Sequence, residues 1–209
     1  MPHVKIAPDL NLQSGRIAQK QRTRRKIIDG AIRLMAAGMV PSMEQIAAEA
    51  GVSRATAYRY FPNSDFLMAE AALDVGMPLA DEVLAGQEGV SVEQRVAIVD
   101  QLFHDMFTVN EPLMRLMLSE GHKLRAHDPD HKTPIRQGRR MPLIAAALAG
   151  HEGALDPAMA DRLTKALSLI IGPEGMIVTM DVLGIGDDEA RALKQWMIAT
   201  LIGAARDAS

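Results

Sequence analysis

The chain contains no cysteine. That excludes disulfides and thiolate zinc sites, and it weakly favours a reducing cytoplasm. Long hydrophobic runs are also lacking: no apolar stretch reaches the ~18 residues of a membrane span, so no membrane partner is expected. The first residues, MPHVKIAPDLNLQSGRIAQK, have neither an apolar h-region nor a small-residue cleavage site, and do not read as a secretory signal. There is no phosphate-cradling glycine loop, no nucleophile elbow and no cysteine nucleophile, so an enzyme is not expected, nor a cofactor. His122, His127 and His131 with Asp128 and Asp130 look superficially like metal ligands. They fall in a proline-flanked polar stretch without the i,i+4 pairing on a rigid helix that orients two imidazoles. A solvated loop is the expectation there, and no metal.

What is present is globular in composition: 48% of the 209 residues are apolar and 23% are charged. The net charge of -3 hides an asymmetry. Residues 1–68 carry ten Lys/Arg against five Asp/Glu, and the remainder thirteen against twenty-one. A basic head on an acidic body suits a small polyanion-binding module attached to a part with another task.

Periodicity is helical throughout. Residues 1–16 carry two prolines and no pattern, and are expected to form a flexible arm. Ile28, Ile32, Met35 and Met39 then make one stripe of a first helix, whose exposed face carries Arg22, Arg24, Arg25 and Lys26. Gly38 and Pro41 end it. Ser42 with Gln45 forms a capping-box pattern opening a short second helix, Ser53 caps a third that stops before Pro62, and Asn63 or Ser64 caps a fourth. That fourth helix is expected to break near Gly76 and Pro78. Further helices follow around Val92–Met106, after Pro112, near 157–183 with a break at Gly172–Pro173, and over 187–206. No segment alternates like a strand, so the fold class is all-α.

The stretch GVSRATAYRYF, residues 51–61, puts both tyrosines of an aromatic-poor chain onto two turns of helix with two arginines. Two short helices joined at Gly51–Val52 have the shape of a helix-turn-helix. If Ala57 and Phe61 point inward, Arg59 points out, flanked by Ala55 and Thr56, with Tyr58 to the side and Arg54 on the exposed first turn. Arginine can donate two hydrogen bonds to guanine in the major groove, a small alanine allows close approach to base edges, and hydroxyls reach phosphates. The helix N-termini at Ser42 and Ser53 favour phosphate as well.

TRRKIIDGAIRLMAAGMVPSMEQIAAEAGVSRATAYRYFPNSDFLMAEAAL, residues 23–73, closely resembles the N-terminal domain of the tetracycline-repressor (TetR) family of bacterial transcriptional regulators. The resemblance rests on the basic first helix, the IAAEAGVS turn, the Tyr-x-Tyr-Phe end of the third helix and the Asp65-x-Leu67 start of the fourth. It implies Ser42 on a phosphate and Arg54, Ala55, Thr56, Tyr58, Arg59 and Tyr60 along a DNA face. The family usually has a lysine at Ser64. Serine removes that charge, and either the arm or first helix (Arg22, Arg24) is expected to compensate or affinity is simply weaker.

The resemblance also implies a C-terminal helical domain that dimerises through its last two helices and encloses a small-molecule pocket. In this sequence Leu193, Met197, Leu201 and Ala204 form one stripe of the last helix; Ala192, Trp196, Ala199 and Gly203 form another. A helix apolar on two faces needs two partners, its own core and a second subunit, so Leu193, Trp196, Met197, Ile198 and Leu201 are the expected dimer residues. Fourteen methionines could line an adaptable cavity, with Phe103, Met106, Phe107, Met114, Met117 and Met176 as its candidate walls.

The expected organisation is an arm over 1–16, a helix-turn-helix domain over 17–64, and a ligand-binding and dimerisation domain over 65–209. The expected function is a homodimeric DNA-binding repressor of a palindromic operator, released by a small apolar ligand that tilts the fourth helix. The alternative is a helical interaction module whose helix-turn-helix no longer reads DNA.

Overall fold

The computed structural model describes residues 10–87, 89–128, 138–149 and 155–208; no strand occurs among them. They fall into two contact units, one within residues 1–76 and 115–137, the other within 77–114 and 138–209.

In the first unit, helices start where the chain supplies an oxygen to a free backbone N–H. Helix α1 spans Leu10–Ala36. It already includes residues 10–16, which the sequence assigned to a loose arm; Pro2 and Pro8, the prolines behind that reading, lie outside the described residues. Ser42 caps α2 (Met43–Glu49) with a reciprocal capping box, the Gln45 side chain accepting from the Ser42 N–H at 2.8 Å. Ser53 caps α3 (Arg54–Tyr60), and Asn63 caps α4 (Ser64–Val75), accepting from Phe66 N–H at 2.8 Å. Between α2 and α3 the chain turns at Gly51, whose φ of +67° is the left-handed conformation that only glycine adopts freely.

Helix α1 packs on α2 and α4, and α2 on α3. Ile27, Ile28, Ala31, Ile46, Ala57, Phe61, Phe66 and Leu67 are fully buried between them. Met39, read as part of the first helix's inward stripe, lies beyond the end of α1 and is exposed. Gly30 is buried where α1 meets α2: a Cβ there would lie 3.3 Å from the Ala50 nitrogen. The compact unit includes α4, so the boundary expected at residue 64 falls inside it. The reason is burial: Phe66, Leu67, Ala69 and Leu73 of α4 belong to the same core.

Beyond Gly76 come α5 (Ala80–Val83) and the long α6 (Val92–His127). Pro112 marks the junction of two helical segments that run together as α6, and the second is the helix expected after it. The proline sits inside α6, where Asn110 leaves helical geometry (φ -118°, ψ 22°) and its amide donates to the Met106 carbonyl at 2.9 Å. The side-chain donor serves a carbonyl at the kink, whereas the N–H that Pro112 lacks would have met Thr108. Helix α6 also runs through His122 and His127, so the loop expected there begins later; Asp130 and His131 lie outside the described residues.

The second unit contains α7 (Arg140–Leu148), α8 (Pro157–Ile170), α9 (Pro173–Ile177), a π-helix (Val178–Leu183) and α10 (Asp187–Asp207). Helix α8 packs on α7 and α10. Val96, Val99, Ile144, Ala147, Leu167, Ile171, Ile198 and Ile202 are the center of its core. By length and composition the stretch Pro157–Leu183 would pass for a membrane span, with mean hydropathy 1.6, which corrects the reading that no apolar run is long enough. It is interrupted at Gly172–Pro173, and Leu163, Leu167 and Ile171 enter the core, as in an ordinary core helix.

Candidate nucleic-acid interface

The exposed side of α3 follows from its buried side. Ala57 and Phe61 have no exposed surface, so the residues around the rest of the helix are fixed by the ~100° step per residue. Arg54, Ala55, Tyr58 and Arg59 are exposed, with Tyr58 at 40%. Thr56 is half-buried and its hydroxyl lies 2.9 Å from that of Ser53, so this pair secures the start of the helix. Ser42 and Ser53 are both exposed beside the N-termini of α2 and α3.

Arg54 is already engaged. Its Nε lies 2.8 Å from Glu44 Oε1, and its guanidinium sits 5.4 Å from the Tyr58 ring centroid. Glu44 in turn is held below the usual carboxylate range, first by its own backbone N–H in the first turn of α2 and then by the Arg54 charge. One carboxylate therefore stands among the cationic groups of this face. Arg59 lies over the Tyr60 ring at 5.5 Å.

Two expected members leave the set. Arg24 is 5% exposed: its guanidinium pairs with the fully buried Glu70 of α4 and lies 4.7 Å from the Phe61 ring centroid. It links α1, α4 and the end of α3 from inside, and cannot offset the missing charge at Ser64. Tyr60 is 7% exposed, because it sits three residues after Ala57 on the inward half of the helix. Arg22 remains exposed, bonded to Gln19 at 3.1 Å. Ser64 is half-buried in the first turn of α4, next to Asn63, whose amide donates to Glu120 at 3.3 Å.

The second unit holds a cavity of about 320 Å³ between α6, the π-helix and α10. Phe107 and Met176 line it, with His104, Thr108, Glu111, Thr179, Met180, Ile185, Asp187, Ala190 and Lys194. Phe103 instead joins the packed core, and Met106, Met114 and Met117 do not line the cavity. Methionine count pointed at the apolar walls and missed the polar ones. A π-helix turns its side chains by less per residue than an α-helix, so no α-helical stripe identifies Thr179 and Met180 as lining residues. Among the described residues no His, Asp and Glu group is placed to hold a metal ion.

On α10, the buried line is Ala190, Lys194, Ile198, Ile202 and Ala205. Ile198, expected at a dimer seam, is 3% exposed within its own core. Leu193, Met197 and Leu201 are half-buried, and Trp196 is 65% exposed.

Residues 27–71 match the family model for bacterial regulatory proteins, tetR family. No curated protein and no solved structure matches the chain.

Proposed function

The chain belongs to the tetR family of bacterial regulatory proteins and is a DNA-binding transcriptional regulator, and from that premise we propose that it is a homodimeric, cytoplasmic repressor of a palindromic operator, released by a small ligand. The observation that carries the DNA reading is the two-sided α3: Ala57 and Phe61 are buried, while Arg59, Ala55 and Tyr58 stand exposed on the opposite side. This presents a cationic, hydroxyl-bearing helix of the size that enters a major groove.

Support for a dimer comes from apolar surface left uncovered in the second unit. Trp196 is 65% exposed and Leu169 79%. Large exposed apolar groups mark association surfaces. A two-fold dimer would set two copies of α3 about one turn of DNA apart, ~34 Å, or a multiple of it. The ligand site proposed is the cavity lined by Phe107 and Met176. A ligand there lowers DNA affinity only if it binds a DNA-incompetent arrangement more tightly.

Selection of bound duplexes from a random pool tests the reading. Enrichment of two-fold-symmetric sites is the expected result. Enrichment of asymmetric single sites would overturn the dimeric operator, and absence of binding even at low salt would favour an interaction module instead.

A further inference from the structure

Glu44 and Arg54 meet across the turn of the helix-turn-helix. Glu44 stands in the first turn of α2 and Arg54 is the first residue of α3, so both side chains leave backbone that the Ser42 and Ser53 caps hold in place. The carboxylate lies 2.8 Å from Arg54 Nε, and the guanidinium lies over the ring of Tyr58, one turn further along α3. The pair is open to solvent, with the Arg54 side chain 63% exposed and that of Glu44 49%. An exposed ion pair of this kind contributes little to folding. Its effect falls on what the face binds.

An arginine without a counter-ion is drawn to phosphate wherever a duplex lies, and such contacts carry no sequence information. Beside Glu44 the charge of Arg54 is partly offset, and a phosphate brought to it also meets a carboxylate. Hydrogen bonding is not offset in the same way. The Nη end of the guanidinium presents the two donors that match guanine N7 and O6, which are uncharged acceptors. Keeping Nε at the carboxylate and the guanidinium over Tyr58 also restricts a long side chain before DNA arrives, so less rotamer freedom is lost on binding. Glu44 stays ionised in this role, because its own backbone N–H and then Arg54 hold its carboxyl below the usual range. We propose that Glu44 is a positioning residue for base reading: it turns Arg54 from a phosphate contact into a reader of guanine in the major groove, and general affinity falls as selectivity rises. This rests on the reading of α3 as the helix that enters the groove, and it names a base that helix selects.

Duplexes are selected from a random pool by the full chain. The selected site, its single-base-pair variants and random duplex are then titrated with the parent, Glu44→Gln, Arg54→Ala and the double variant. The parent is expected to prefer a G·C pair about tenfold at one position of each half-site, and Arg54→Ala to lose that preference there alone. Glu44→Gln is expected to bind random duplex more tightly and yet lose most of the preference at that same position. Added to Arg54→Ala, it should change base preference nowhere, because the side chain it orients is gone. Both residues are exposed, so the variants should keep the parent's melting temperature. If Glu44→Gln raises affinity for selected and random duplexes by one common factor, it acts by charge alone and the proposal is overturned. A loss of preference spread over many positions, or one that persists in the Arg54→Ala background, overturns it as well. A parent that binds no duplex at low salt rejects the regulator reading and this inference together; a parent that selects a site which Glu44→Gln reads unchanged rejects this inference alone.

Discussion

Arg24 and Glu70 form a buried ion pair across α1 and α4, with Nη2 3.1 Å from Oε1 and Nη1 3.3 Å from Oε2. Their side chains are 6% and 0% exposed, and the guanidinium also lies against Phe61 at the end of α3. Removing one member of such a pair leaves a desolvated charge and costs about 3–5 kcal/mol, whereas replacing both by apolar groups of similar size is close to neutral. Arg24→Ala is therefore expected to lower the midpoint of urea unfolding strongly. The Arg24→Met, Glu70→Leu double variant should recover most of the loss. A double variant as unstable as Arg24→Ala would mean that the charges themselves contribute the stability.

Arg59 has the opposite situation, exposed on the far side of the same helix. Arg59→Ala should weaken operator binding by about 1–3 kcal/mol and relax selection at one base position. Arg22→Ala should weaken binding to all sequences and reduce the slope of log affinity against log salt by about 1 if it meets a phosphate. The Arg24→Met, Glu70→Leu variant, measured while folded, should leave that slope unchanged, because a buried guanidinium releases no DNA counterion. A reduced slope in that variant would return Arg24 to the DNA-contacting set.

Glu44 is a carboxylate set against this cationic face, 2.8 Å from Arg54. It repels phosphates and competes with them for the arginine. Glu44→Gln should strengthen binding to random duplex DNA several-fold at low salt, with the gain shrinking as salt rises. Because the carboxyl is held below its usual range, lowering the pH from about 8 to about 5 should not reproduce the effect. Gel-shift titrations at two salt concentrations check both points. Unchanged affinity would place Glu44 away from the bound duplex.

Which features were legible beforehand follows from how far apart their causes lie in the chain. The caps at Ser42 and Ser53 involve residues three apart, and Gly51 needs only its own backbone, so both helix starts and the turn between them read directly. Periodicity also placed Ala57 and Phe61 inward. It gives an angle about one helix axis, though, and not the partner beyond it. Arg24 is buried because Glu70 sits 46 residues later, and nothing near Arg24 announces that. Lys194 is comparable: a lysine inside the core line of α10 is tolerated because Asp100 meets it. The cavity was the least legible part, since its wall draws on α6, the π-helix and α10 together. Pro112, by contrast, was legible, since a proline sits well in the first turn of a helix. Helical geometry breaks at Asn110 and resumes with Pro112 near the start of the next segment.

The dimer reading makes Trp196 and Ile198 respond oppositely, although they are two residues apart. Ile198 belongs to the core of its own unit and Trp196 to its surface. A glutamate at 198 would bury a charge without a partner, so Ile198→Glu should lower thermal stability steeply at every protein concentration. A glutamate at 196 costs the isolated chain little. If Trp196 is covered by a second subunit, Trp196→Glu places like charges near the two-fold axis and removes an aromatic anchor. Light scattering across a dilution series should then show dimers of the parent dissociating at much higher concentration in the variant. DNA affinity should fall with the dimer population, since two tethered half-site contacts become two separate ones. A Trp196→Glu chain that stays dimeric at the parent's concentrations would move the subunit contact away from this face of α10.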